Sequence, residues 1–574
     1  MKRHSHAGIA AGMKKLALAS ALSLGMTSLA HAIAFEVWMS DQGTTHDSVA
    51  PANSVTNLNS PTTTSGGYLR IYQGAILQFN AASATPENYH INGEGVVAGD
   101  KKLMDYTQFG APANWGNPAI HGASVPKLRG LHGCLPSPNH RYMACSILNG
   151  FVAIISDGRT PVALFRVTGT NTATGGNPHM SFFSNDGKYL LVANQNARML
   201  ERIDLTWDSA GVTLVSANYN KSASLDLVGG SNVVGGGRLT READTLAAAT
   251  ISATNPGTNI GSVSGSYDAS AFSTTLPDGS LKQTGTSGSR PNNSVICPLA
   301  MDNNQHTVVT MAGGGAFIVD HTTTPMKIVA AYDKTQIADA GCGGLENAGY
   351  MYLDQGTSVA PTSAPWSCPA GQATDRFSVY RLPSTGWPSG GSYLATPPKP
   401  FVMQDLGASM CTTTALARDA HGMTWGDYAR NYLHVWDRFQ NQIRVYKMPV
   451  GTLQGIINIG GGAVCTDPTP DLGDYVFVPA PNATYTSLKP RTYMAHRGSG
   501  PLSFGHAASG NCGGLGIYAI DNGGTSATLE FANTTTIPVV ATDVNGNPTN
   551  RGAYTGPATN TTDPHAVAVR IKSF

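Results

Sequence analysis

Four histidines in this chain recur at one place in a repeated pattern. His132, His179, His421 and His565 each open an apolar run at the same register to within about a residue, and Cys297 takes that place in another copy. Imidazole nitrogens suit copper, zinc or iron. Equivalent positions in successive repeats stack as a series, and in a closed array they fall on a ring. Four imidazoles facing one another in this way would make a metal site. His506, in a loop rich in small residues, could reach the same face. The plainer alternative is that each imidazole packs or hydrogen-bonds between repeats, because a repeat position recurs with or without a ligand.

Other residue types offer less. Glu346, Asn347, Asp437 and Asp471 are candidate oxygen donors for a calcium-dependent, lactonase-like hydrolysis, but their spacing is not diagnostic and Asp or Asn near turns usually does turn chemistry. The segment Gly261-Ser-Val-Ser-Gly265 comes nearest to a nucleophile elbow, yet Val263 stands where the nucleophile should be. The Gly runs 235–237, 313–315 and 460–462 precede no Lys-Ser/Thr pair and read as turns and bulges, not phosphate loops. Trp425 and Trp436 are expected to pack within one repeat, whereas Trp115 and Trp366 lie in insertions and could serve a sugar or a partner.

The elements that must position these groups follow from one template, Asn177-Pro-His-Met-Ser-Phe-Phe-Ser-Asn-Asp-Gly-Lys-Tyr-Leu-Leu-Val-Ala-Asn-Gln195. An apolar strand, an Asp-Gly turn and a second strand spell a hairpin, and a third strand is expected around 199–205. The pattern recurs at 132–147, 297–311 and 421–437, with a degenerate copy at 471–497. The terminal Asp563-Pro-His-Ala-Val-Ala-Val-Arg570 matches the first strand alone. Units of four short strands at periods of roughly 40–50 residues predict an all-β propeller. The count is six or seven blades, with seven preferred. The lone C-terminal strand is expected to complete a blade with strands near 35–39 and 68–72. Residues 206–291 do not fit a single blade, and 74–125 and 355–372 read as further insertions.

Composition agrees with short strands and many turns. Charged residues are 12%, Gly numbers 66 and net charge is +1, which argues against a nucleic-acid footprint. Lys2, Arg3, Lys14 and Lys15 precede an apolar stretch that ends at Ala30-His31-Ala32, the pattern of a secretory signal. Residues 1–32 are therefore read as that signal and 33–574 as a single propeller, located in the periplasm, at the cell surface or in the medium. No later segment is apolar and long enough for a membrane helix. Eight cysteines in an exported chain suggest disulfides, with 105 pairings if all are used. No CxxC is present. One pairing can be argued: if the hairpin turns about Asn139-His140, Cys134 and Cys145 lie opposite each other.

Three stretches resemble the YVTN-type repeats of exported bacterial propellers, the YncE-like and surface-layer-associated group. They are Ser184-Asn-Asp-Gly-Lys-Tyr-Leu-Leu-Val-Ala-Asn194; Asp467-Pro-Thr-Pro-Asp471 with Arg497-Gly-Ser-Gly-Pro-Leu502 and the stretch 506–517 behind it; and the terminal 563–570. The resemblance implies a seven-bladed propeller outside the cytoplasm. It implies no reaction, because relatives with this fold include binding proteins, lactonases and heavy subunits of redox enzymes. The first expectation is accordingly a module that binds an envelope protein or a small ligand. The alternative is an enzyme at the channel mouth, either metal-containing through the histidine ring or lactonase-like, or the heavy subunit of a periplasmic redox enzyme. Copper, zinc and calcium are the candidate ions. Convergence of the four histidines discriminates between these readings.

Overall fold

The structure is a computed structural model that describes residues 35–42, 67–91, 101–103, 130–148, 150–167, 177–195, 198–220, 223–227, 249–250, 260–261, 295–338, 341–356, 372–390, 392–407, 411–413, 416–476, 490–497, 512–534 and 563–572. The signal segment, His506, Trp115, Trp366, Cys368 and the 235–237 glycine run lie outside them.

The protein is an all-β propeller. Among the described residues the strands fall into repeated four-stranded antiparallel units, some with short extra edge strands, two of them joined by a parallel bridge, beside a separate pair of Gln372–Thr374 with Cys411–Thr413. Blade 1 runs outward from Pro564–Ile571 through Phe35–Asp41 and Tyr68–Gln73 to Glu87–His90. Blade 2 is Leu131–Pro136, Tyr142–Ile147, Phe151–Ser156 and Pro161–Arg166; blade 3 is Pro178–Phe183, Tyr189–Asn194, Met199–Trp207 and Leu214–Tyr219. Blade 4 is Val295–Ala300, His306–Met311, Ala316–Asp320 and Lys327–Tyr332; blade 5 is Gly344–Asn347, Tyr350–Gln355, Phe377–Pro383 and Phe401–Leu406. Blade 6 is Ala420–Trp425, Tyr432–Asp437, Gln442–Lys447 and Thr452–Asn458; blade 7 is Pro470–Val476, Arg491–His496, Gly514–Asp521 and Ser526–Thr534. As the lone terminal strand suggested, the last described strand pairs with the first described one, Glu36 opposite Arg570 and Trp38 opposite Ala568.

The core explains why the strands read as nearly continuous apolar runs. Each blade buries both faces, one on each neighbour, so alternate residues of a strand serve different interfaces. In Tyr142–Ile147, Met143, Cys145 and Ile147 pack with Trp38 and Leu69 of blade 1. Ala144 instead joins Leu190 and Val192 of blade 3. The same arrangement continues around the molecule: Leu191 with Phe317, Leu299 with Leu353, Val379 with Trp425, Trp436 with Tyr518. The last cluster sets Tyr493 and Ile517 of blade 7 against Val37 and Val567 of blade 1, which closes the circle. Trp425 and Trp436 thus do sit in one blade, packed on opposite sides of it.

Two of the segments read as insertions or atypical also carry blade strands. Within 206–291, Leu214–Tyr219 is the outer strand of blade 3. Ala217 and Tyr219 are buried while Asn218 faces out, the alternation of a strand covered on one side, and Leu214 is buried beyond a register slip at exposed Val215. Likewise, the 74–125 insertion holds a six-residue helix, Gly74–Phe79, and the outer strand of blade 1. The Cys134–Cys145 disulfide is present, in the expected cross-strand register. Cys297–Cys342 and Cys465–Cys512 are also joined. No helix among the described residues is long and apolar enough to cross a membrane.

Candidate metal centre

The inner strand of each blade begins at one end of the channel and turns back at the other, so second strands end beside inner-strand starts. Pro178 faces Asn194, Ala420 faces Asp437 and Pro470 faces His496. Near each of these starts the ladder slips. The register shifts across His132, across His179-Met180, across Ile296-Cys297, across His421-Gly422, across Asp471-Leu472 and across His565. A bulge leaves its extra residue unpaired and re-aims the side chain. Six inner strands therefore turn one bulged residue each out of the ladder: four histidines, Cys297 and Asp471.

Gly422 permits this at blade 6. Its φ is +84°, and a Cβ there would lie 2.5 Å from the Asp471 carbonyl oxygen. Gly422→Ala should destabilise the fold by roughly 1–3 kcal/mol through strain at that bulge; a chemical-denaturation midpoint equal to that of the native protein would contradict this.

The four histidines converge. The ring centroids of His132 and His179 are 4.1 Å apart, those of His132 and His565 3.6 Å, and those of His421 and His565 6.2 Å. Ligand-capable atoms of His132, His179 and His565 lie within 4.8 Å of one another, and so do those of His421, Asp471 and His565. All five side chains are buried. All five lie near the inner-strand starts, at one end of the channel.

Around the ring lies a second tier. Asp471 Oδ2 accepts from Arg438 Nη1 at 3.1 Å and Arg497 Nη1 at 2.8 Å. Asp471 Oδ1 stands 2.9 Å from His421 Nε2 and 3.7 Å from His565 Nε2. Arg438 also binds Asp419, and Arg497 binds Asp563. The amide of Gln42 lies 2.7 Å from His132 Nδ1, while His132 Nε2 is buried with no hydrogen-bond partner. His179 Nδ1 is 3.0 Å from the Ile296 carbonyl oxygen. A carbonyl only accepts, so Nδ1 carries the proton and the Nε2 lone pair remains for a ligand.

Protonation follows from burial. Desolvation holds His132 and His565 well below the ordinary imidazole value, and lowers His179 to about 3. These rings are neutral, the form that ligates metal. For Asp471, burial pushes the carboxyl up, but the positive charge around it, with the Arg438 and Arg497 guanidiniums in direct contact, outweighs it and holds the group well below the usual range.

Asp437 behaves in the opposite way. Burial raises its pKa from 3.8 to about 7. Between those values the folded protein keeps a proton that the unfolded chain has lost. Asp437 therefore contributes stability that is full below about pH 4 and lost as pH rises through about 7. Asp437→Asn should flatten this dependence, gaining stability relative to the native protein at about pH 8 but not at about pH 4. Parallel urea curves for the two proteins at both pH values would refute it.

The oxygen-donor set proposed from the sequence does not assemble. Glu346 and Asn347 end the inner strand of blade 5, away from the bulge end, and Glu346 accepts the Asp302 amide. Asp471 alone of that set reaches the ring. Its signal was the shared Pro-x opening of Pro178-His179, Pro470-Asp471 and Pro564-His565. Arg438 and Arg497, missed by sequence reasoning, follow the last residue of a second strand in blades 6 and 7.

Comparison with known proteins gives little beyond this. No family model matches the chain, and no curated protein does. Among solved structures it is similar to the periplasmic gluconolactonase of Pseudomonas aeruginosa, at 12% identity over 93% of this chain and 99% of that one, with a TM-score of 0.38. A protein from Lactobacillus plantarum is similar at 11% identity over 93% and 99%, TM-score 0.40. The β-propeller domain of Swd1 from Myceliophteria thermophila follows at 10% identity over 64% and 93%, TM-score 0.29. At these values no functional argument passes from them to this chain.

Proposed function

We propose that this protein is an exported β-propeller module whose ligand is a transition-metal ion, held inside the channel by His132, His179, His421 and His565 with Asp471 beside them. One observation carries the reading: buried imidazoles from four blades gather on bulges, and His132 Nε2 has no hydrogen-bond partner there. A buried polar nitrogen left unpaired costs about 1–3 kcal/mol, which coordination would remove. Imidazole-rich donor sets suit copper, zinc and iron. Calcium takes oxygen ligands at 6–8 positions, and the carboxylate of Asp471 is already engaged by two guanidiniums.

Burial of the ring favours holding the ion over hydrolysing a bulky substrate at it. Export is part of the same reading, supported by three disulfides among the described residues, bonds that persist in oxidising compartments. So is the YVTN-type repeat assignment, supported by the Asn-Asp-Gly hairpin and the Pro-His inner strands. Isothermal titration of metal-stripped protein with copper(II) or zinc(II) tests it. Saturable binding near one ion per chain, weakened at least tenfold in His132→Gln, is expected; binding unchanged by that substitution would refute the assignment.

A further inference from the structure

The ring place in blade 4 holds sulfur, not nitrogen. Cys297 sits on the bulge that elsewhere carries histidine or Asp471, and its disulfide partner Cys342 lies just before the inner strand of blade 5. Both sulfurs lie with a ring nitrogen of His179 inside the same 4.8 Å span, and all three residues are buried. A staple between blades needs no such neighbour. His179 is therefore common to two donor sets, one of imidazoles with His132 and His565, the other with Cys297 and Cys342. The Ile296 carbonyl, one residue before Cys297, fixes the His179 ring with Nε2 as its donor.

We propose that Cys297, Cys342 and His179 form a second metal site that opens only when the disulfide is reduced, and that it takes a thiophilic ion such as zinc(II) or copper(I). In the closed state the sulfurs are bonded to each other and donate poorly. Reduction by a dithiol transfers two electrons and two protons: the Cys297–Cys342 bond breaks, two thiols form, and the donor becomes a disulfide. Metal binding then displaces both thiol protons to give two thiolates and one imidazole around the ion. Two sulfurs and a nitrogen select softer ions than the imidazole ring does. The redox state of one bond thereby decides whether His179 serves the ring or the sulfur pair. This inference does not require the ring to hold metal.

Cobalt(II) is the probe, because thiolate ligation gives a near-ultraviolet charge-transfer band that imidazole ligation lacks. Cys465 and Cys512 lie within ligand distance of His496 and would add their own band, so the test uses the full chain in a Cys465→Ser/Cys512→Ser background. The protein is reduced with a dithiol, desalted without oxygen and titrated with cobalt(II) beside its oxidised form. The reduced form should bind about one further cobalt(II) per chain and show the thiolate band. Reoxidation and Cys297→Ser/Cys342→Ser should each abolish that increment. His179→Gln, which keeps both sulfurs, should weaken it at least tenfold and decides the matter if the double serine variant fails to fold. No band on reduction, or a band that survives loss of Cys297 and Cys342, would overturn the inference. Cobalt bound by the oxidised form reads the imidazole ring alone, so the two sites fail separately.

Discussion

Asp471→Asn should destabilise the protein by about 3–5 kcal/mol, the usual loss when one partner leaves a buried ion network. The side chain keeps its shape and loses its charge. Arg438 and Arg497 then face a neutral amide where both had faced a carboxylate, with Asp419 and Asp563 as their remaining acidic partners. All these side chains are at most 2% exposed, so water cannot screen the change. His421 and His565 lose the anion that lies within 4 Å of each. The denaturation midpoint near neutral pH is the readout. A loss below about 1 kcal/mol would mean that Asp471 is not the anion joining the two arginines.

The second large effect concerns closure. Removing residues 563–574 should leave no cooperatively folded protein. Those residues supply the inner strand of blade 1, whose ladder with Phe35–Asp41 runs from Ile571 to Pro564. Val567 and Val569 belong to the cluster between blades 7 and 1, and Ala568 to the cluster between blades 1 and 2. Arg570 pairs with buried Glu36 at 2.9 Å, and Asp563 with Arg497. A gap there strips one wall from two interfaces and leaves the edge of Phe35–Asp41 unpaired, an invitation to aggregate. The truncated chain should appear in the insoluble fraction, without the near-ultraviolet circular dichroism of packed aromatics. A soluble product with a cooperative unfolding transition would show that the circle does not depend on its last strand.

Much of this architecture is local, and what is local was legible. The Asn185-Asp186-Gly187 turn announces its hairpin because Ser184 and Asp186 cap it with their own side chains. The register of Cys134 with Cys145 followed from one assumed turn. The ring of histidines followed from repeat position, without any knowledge of contacts. Blade 5 escaped because its inner strand, Gly344–Asn347, is short, polar and half-buried, and follows Gly341-Cys-Gly343 where other blades have an apolar run. Glu346 and Asn347 therefore looked like site residues when they end a strand. The arginine network was illegible for a different reason. Arg438 meets Asp471 across 33 positions and Arg497 meets Asp563 across 66, pairings that only blade closure creates.

The bulges set the ring residues apart from their in-register neighbours. A residue in register would point into a blade interface, as Met423 and Trp425 do. His421, out of register, points elsewhere, and the same slip recurs at Asp471 and His565.

The central claim is that the converged imidazoles hold a metal ion, and the most direct test is metal content by mass spectrometry on protein purified without chelators, beside a His179→Ala/His421→Ala variant. The account predicts close to one copper, zinc or iron per native chain and a loss of at least tenfold in the variant with its circular dichroism intact. A native protein without bound metal that also fails to take up added copper or zinc, or a variant that retains the full complement, would contradict it.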